Sequence, residues 1–275
     1  MGEATAISWC KHTFNVWWGC EHGEREPGSS EPAPECVNCY AEIFDRRLGG
    51  EHWGSGATPR FFGSKYWAKP VVWNAAAEKA GERARVFCAS MADWAQLHRD
   101  QVVRDRQRAE LHRLWQLINA TPWLDWMLLT KRIDRAAELL PWGVDEKPWT
   151  NIWLGTTCGA RSSLWRIDEL RRVPAAVRFV SCEPLIDEIT GDEWDRALGP
   201  TTDGARPIDL LIVGDESAAP SKRRPAHLDW VRIARDAAIR NGVALHLKQL
   251  HVDGKKVHLP ILDGRRWAQT AGDVP

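Results

Sequence analysis

The chain has 275 residues, enough for a full hydrophobic core in one domain, and its 37 Lys plus Arg are matched by 37 Asp plus Glu. That balance removes any whole-chain electrostatic drive toward nucleic acid or membrane and leaves room only for a local basic groove. There is no run of about 18 apolar residues, and Met1-Gly2-Glu3-Ala4-Thr5 lacks a signal peptide's basic start and apolar core; a cytoplasmic protein without membrane contact is expected, its seven cysteines reduced.

Residues 6–18, with Ile7, Trp9 and the run Phe14-Asn15-Val16-Trp17-Trp18, read as a strand running into Cys20. Residues 21–35 are rich in Gly, Pro, Ser and Glu and read as a surface excursion that cannot pack. After Cys36 and Cys39 the segment from Tyr40 to Leu48 has helical spacing and ends at Gly49-Gly50. Residues 51–70 read as an irregular loop. From residue 85 onward a rhythm sets in. Apolar runs at 85–90, 126–130, 151–155, 177–181, 210–214 and 243–247 alternate with helical patterns through Leu111–Ile118 and at 133–140, 162–172, 192–198 and 227–241. Strands alternating with helices predict an α/β fold, a partial or complete (βα) barrel of about seven parallel strands with helices outside, over 1–275 as one domain. Seventeen Trp beside six Phe and two Tyr are expected to be mainly core or groove wall.

In parallel barrels the active site lies at the C-terminal ends of the strands, where the βα loops converge. Here those ends carry Ser90-Met91-Ala92-Asp93, Thr130-Lys131-Arg132, Thr156-Thr157-Cys158, Ser181-Cys182-Glu183-Pro184, Asp215-Glu216-Ser217 and Lys248-Gln249. A single polar cluster of this kind is usually a helix cap. Six strands sharing the feature predict one polar cavity. The arginines of the long helix, Arg104, Arg106, Arg108 and Arg113, are a candidate phosphate contact and otherwise a solvated face.

Cys20, Cys36 and Cys39 form a ligand set on one loop before a helix. Two metals suit it. Zinc would need a fourth ligand, with Cys10, His12 and His22 close in sequence, and would make the chain a zinc-stapled, non-catalytic binder of nucleic acid or of a partner. An iron–sulfur cluster held by three thiolates keeps one iron open for a ligand such as S-adenosylmethionine (SAM).

Through Trp18-Gly19-Cys20, Cys36-Val37-Asn38-Cys39-Tyr40-Ala41-Glu42, the strand-end clusters and Gly214-Asp215-Glu216-Ser217-Ala218, the chain resembles phage-associated, radical-SAM-like three-cysteine-motif proteins. The cysteine loop is also similar to that of the spore photoproduct lyases, where an aromatic residue likewise follows the third cysteine. The resemblance departs in three places. Fifteen residues separate Cys20 from Cys36 where radical SAM enzymes place only a few, Asn38 replaces an aromatic residue, and Asp215 and Ala218 replace glycines. It implies a TIM-barrel-like radical SAM fold with Cys20, Cys36 and Cys39 on a 4Fe-4S cluster. It further implies SAM near Tyr40, Ser90, Asp93, Thr157, Glu183, Asp215 and Glu216, with Glu183, Glu216, Lys131 and Lys248 in the chemistry and Arg132 as an anion contact. The implied activity is cleavage of SAM to a 5′-deoxyadenosyl radical that acts on a nucleobase in DNA or a nucleotide, in modification or repair. A one-electron reductant such as flavodoxin or ferredoxin is the implied partner.

Overall fold

A computed structural model describes residues 5–143, 146–200 and 207–273. Its main sheet runs in chain order: β1 (His12–Phe14), β2 (Ala84–Cys88), β3 (Leu124–Thr130), β4 (Ile152–Thr157), β5 (Val177–Cys182), β6 (Leu210–Gly214), β7 (Ala244–Val252) and β8 (Lys255–His258). All pairs from β1 to β7 are parallel, and β8 folds back antiparallel on β7. Helices α1 (Tyr40–Arg47), α2 (Ser64–Trp67) and α3 (Lys69–Ala80) lie between β1 and β2. One helix then follows each of the next strands: α4 (Gln101–Asn119), α5 (Ile133–Leu139), α6 (Trp165–Arg172), α7 (Gly191–Leu198) and α8 (Leu228–Arg240). A small hairpin, β9 (Ile261–Leu262) with β10 (Arg265–Arg266), follows β8.

Because parallel crossovers are right-handed, a strand order that never reverses puts every crossover helix on one face of the sheet. The other face must then become an interior. The period-two alternation of the strands confirms this partition. Val86, Trp126, Leu154, Val180, Leu211 and Leu245 point outward into a core shared with Leu114 and Ile118 of α4, Leu170 of α6 and Ala234 of α8. Their neighbours Phe87, Met127, Trp153, Phe179, Ile212 and Ala244 point inward and form an apolar plug with Trp9 and Cys10. The result is the expected α/β partial barrel. It is left open between β1 and β7. There the edge of β7 is covered by residues 267–269, with Leu247 N–H donating to Trp267 O at 2.8 Å, while Ser8 Oγ meets His246 Nε2 at 2.8 Å.

Several local expectations change. The strand expected over 6–18 shrinks to three residues, since Trp9 leaves the sheet line to pack on Phe87 with ring centroids 4.7 Å apart. Residues 51–70 are not wholly irregular, because they contain α2 and pair with the cysteine loop at Trp18–Arg60 and Cys20–Trp53. Helix α3 and strand β8 were not expected. The excursion 21–35 is exposed in its middle, but Gly23, Ala33 and Glu35 are buried. None of the seventeen Trp is exposed, in keeping with core and wall roles. Among the described residues no helix is long and apolar enough to cross a membrane.

Gly155 sits on the inner face of β4 where the plug has no spare volume: a Cβ there would lie 2.3 Å from Phe179 Cζ. Gly155→Ala should therefore cost about 1–3 kcal/mol, the usual range for overpacking, and lower the urea midpoint. An unchanged midpoint would show that the plug is slack.

Candidate functional site

Above the plug, the inward register of β3, β4, β5 and β7 continues into polar residues. Lys131 lies two residues beyond Leu129, Thr157 two beyond Gly155, Ser181 and Glu183 two and four beyond Phe179, and Lys248 two beyond His246. These groups line one cavity of about 360 Å³, within the roughly 300–1,000 Å³ typical of ligand pockets. Cys20, Cys36, Cys39, Tyr40, Ser90, Asp93, Asp215 and Glu216 line the same cavity. The structure thus brings together the residues that the resemblance placed at the cluster, at SAM and in the chemistry, and leaves Arg132 out of the cavity lining.

The cysteine loop reaches this cavity because its long excursion is pinched shut. Ala33 N–H donates to Gly23 O at 2.6 Å and Arg25 N–H to Glu31 O at 2.9 Å, so residues 23–33 close on themselves as a hairpin. Only short arms then remain between the pinch and the two cysteines. Two buried guanidiniums hold those arms. Arg132 donates to Glu21 O at 2.7 Å and His22 O at 2.9 Å, with Nη1 also 3.2 Å from Asp93. Arg166 donates to Glu24 O at 2.7 Å and Thr157 O at 3.0 Å, and pairs with Glu35 at 3.3 Å, both side chains fully buried. Gly23 is required at the pinch, since a Cβ would come 2.9 Å from Lys131 Cβ.

The thiols of Cys20 and Cys36 are perturbed. Burial pushes Cys20 up to about 12, against the pull of the Arg132 guanidinium 3.9 Å away, and the Cys36 and Cys39 thiolates push it in the same direction as burial. Burial also raises Cys36, with Lys131 opposing. Half-buried Lys131 is itself held above its ordinary value: desolvation works against its charge, and the thiolates of Cys36 and Cys39 outweigh it. Among the described residues, no three His, Cys, Asp or Glu converge on a point for one metal ion. Of the candidate fourth zinc ligands, Cys10 and His12 lie away from the cavity, whereas His22 lines it beside the cysteines. Cys10 is buried in the plug, His12 stacks on Trp73 at 4.4 Å on the helix side, and His22 meets Glu42 at 2.8 Å.

Several expected ligand contacts are occupied by the protein itself. Asp93 accepts four hydrogen bonds, from Ala95 N–H, the Thr130 hydroxyl, Lys131 N–H and Arg132. It therefore scaffolds the strand ends. Arg132 is consumed by Asp93 and the loop carbonyls and does not present an anion contact. Asp215 accepts from Ala226 N–H at 2.6 Å and from His251 N–H at 2.6 Å, with the His251 ring at 3.0 Å. Glu216 pairs with Arg224 and accepts from Asn38 Nδ2 at 3.1 Å; burial opposes its charge, but Arg224 keeps its carboxyl below the ordinary value. Tyr40 donates to Ser90 O at 2.6 Å. Glu183 is different. Its Oε2 accepts from Lys248 Nζ at 2.8 Å, while the buried Oε1 has no partner and Gly214 leaves space beside it.

The helix arginines lie on α4, on the outer face. Arg106 pairs with Glu110 at 2.6 Å, Arg113 covers the Trp67 ring at 4.4 Å, and Arg104 donates to His98 O and Arg99 O. Those three serve the helix and its neighbours. Sequence reasoning missed Glu35, Arg166, Arg224, Lys256 and His258. Glu35 beside Cys36 was the one local signal, an acid inside a loop that otherwise read as solvated.

Removing Arg166 leaves Glu35 buried without its cation, so Arg166→Met should cost about 3–5 kcal/mol, and Glu35→Gln/Arg166→Met should recover part of it. Desolvation works against the Glu35 charge, but Arg166 and Gly159 N–H hold its carboxyl below the ordinary value. The pair therefore stabilises the fold above the unfolded carboxylate pKa of about 4.3 and loses that contribution as pH falls toward the folded value. Urea unfolding of wild type and Glu35→Gln should show a gap at neutral pH that narrows on acidification. A gap that is constant with pH would contradict the assignment.

No curated protein matches the chain. Solved structures of spore photoproduct lyase do. A mutant with bound AdoMet and dinucleoside spore photoproduct is 14% identical over 90% of this chain and 68% of that one, with a TM-score of 0.47. A tyrosine-to-phenylalanine mutant gives the same identity and coverage with a TM-score of 0.48. Residues 4–271 match the family model described as a protein of unknown function (DUF5131), and the chain belongs to that family.

Proposed function

We propose that this chain is an iron–sulfur enzyme of the radical SAM type, with Cys20, Cys36 and Cys39 as the protein ligands of a 4Fe-4S cluster and SAM in the adjoining cavity. The observation that carries this reading is the pinched hairpin at 23–33, which delivers three thiols to the wall of one polar cavity despite the fifteen-residue gap. The donor set fits the group: three soft thiolates leave an open coordination position, which a closed structural zinc site does not. The cavity beside them fits a polar cofactor, since Glu183 Oε1 is a buried acceptor with no donor.

When bound, the cluster and SAM supply one-electron cleavage of SAM and hydrogen-atom abstraction from carbon. The protein's own residues do the rest. Lys131 places a half-buried positive charge near Cys36 and Cys39 and compensates the negative charge that thiolates bring into the cavity wall. Glu183, held by Lys248, offers Oε1 to an ammonium or hydroxyl donor. Asp93 and Arg132 keep the strand end and the loop in register, so the cavity is preorganised before any ligand arrives. A nucleobase in DNA or a nucleotide stays the proposed substrate class, on the sequence resemblance, and an electron-transfer protein such as flavodoxin or ferredoxin the proposed reductant.

Anaerobic reconstitution with iron and sulfide should give a brown protein that retains about four irons per chain, and dithionite plus SAM should then release 5′-deoxyadenosine. Cys36→Ala and Cys39→Ala should lose both properties. A colourless protein holding one zinc would sink the cluster, and a brown protein that releases no 5′-deoxyadenosine would sink the SAM chemistry. Lys131→Met should fold yet retain iron severalfold less well, measured as iron remaining after chelator challenge; equal retention would remove Lys131 from the site.

A further inference from the structure

The charges around the cavity do not cancel locally. The carboxylates there already have partners: Glu183 has Lys248, Glu216 has Arg224, and Asp215 accepts from Ala226 N–H, His251 N–H and the His251 ring. Lys256 is left over. In β8 the alternation of side chains puts Lys256 and His258 on one face, and both line the cavity. Among the described residues, no carboxylate lies within ion-pair distance of Lys256 Nζ, whose partner is Ser217 Oγ at 2.9 Å. Ser217 Oγ also accepts from Gln249 Nε2 at 2.8 Å. An oxygen that accepts from both an ammonium and an amide keeps its own O–H for a third partner.

We propose that Lys256, His258 and the Ser217 hydroxyl form an oxyanion subsite at the β8 side of the cavity, which takes the phosphate or carboxylate group of the substrate. The inference rests on the reading of this cavity as the substrate site and narrows the substrate to an anion. The ammonium and imidazole on β8 and the hydroxyl on the loop after β6 line one end of the cavity and suit a tetrahedral or planar oxyanion, with Lys256 as a point charge and the hydroxyl and imidazole supplying direction. The free protein bears the cost of gathering these groups. Although both side chains are exposed, partial desolvation at the cavity rim and then the nearby Lys248 hold Lys256 below its ordinary value, and partial desolvation, Lys256 and Lys248 do the same to His258; Glu183 alone works in the other direction, on Lys256. A bound oxyanion relieves that repulsion and so raises the His258 midpoint.

The test uses the full chain as purified, with ¹³C-labelled histidine and His258→Asn to assign the ring signal. Titrations are run alone, with inorganic phosphate, and with acetate. Saturating phosphate should raise the His258 midpoint by about one pH unit, a tenfold coupling. Lys256→Gln should weaken phosphate binding about tenfold, the loss expected for one charge-assisted contact, while Lys256→Arg should largely retain it. A response to phosphate only assigns a phosphate ester, and a response to acetate as well assigns a carboxylate. If neither anion moves the His258 signal, or if Lys256→Gln binds phosphate like wild type with an unchanged urea midpoint, the subsite is overturned. Because the titration requires neither iron nor SAM, a chain that binds phosphate but forms no cluster loses the radical SAM reading and keeps the anion subsite. The reverse result separates the two equally well.

Discussion

The site depends on two guanidiniums buried against the carbonyls of one loop. Arg132, from the end of β3, takes Glu21 O and His22 O, while Arg166, from α6, takes Glu24 O. A buried guanidinium is tolerated only when its charge is paired and its donors are used. Asp93 and Glu35 provide the pairing, and backbone carbonyls take further donors, although Arg166 Nε is left without an acceptor among the described residues. Each arginine thereby fixes the loop, and the loop carbonyls supply part of the solvation of each arginine. This mutual dependence is what lets Cys20 and Cys36 share a wall across a long excursion.

The architecture was largely legible because it is written in a short period. Buried parallel strands read as continuous apolar runs, and the runs found in the sequence are the strands β2 to β7 within a few residues. What escaped has physical reasons. Helix α3 hides its amphipathicity, since Val71 and Val72 are exposed while Pro70, Trp73 and Ala77 are buried, so the apolar positions do not fall on one stripe. Strand β8 is exposed at all four positions and shows no alternation of apolar and polar residues. Its identity comes only from pairing with β7, a partner no local window contains.

The candidate site was legible as a set of positions and less so as a set of roles. Strand register placed the polar residues at one end, so their convergence could be inferred from spacing. Whether a carboxylate is free for a ligand depends on partners far away in sequence. Asp93 looked like a cofactor contact and is saturated by the strand end it caps; Asp215, standing where a glycine was expected, is bound by the backbone of residues 226 and 251. Glu183 keeps one buried oxygen without a donor, and only the three-dimensional accounting of acceptors separates it from its neighbours.

The replacement of the expected aromatic residue by Asn38 now has a structural consequence. Its amide donates to Glu216 and to Lys222 O, and Arg224 on the same loop donates to Pro34 O. The turn holding Cys36 and Cys39 is therefore tied to the loop after β6 from both of its sides. A phenylalanine ring could pack there but could not donate to a buried carboxylate, and Glu216 would lose a partner in a place where unmet polar groups are costly. Glu216 accordingly works as a strut between the cysteine turn and the β6 loop. Because Ser217 is the next residue, the same short segment holds the cysteine turn through Glu216 and meets Lys256 through Ser217, so the thiol side and the cationic side of the cavity share one anchor.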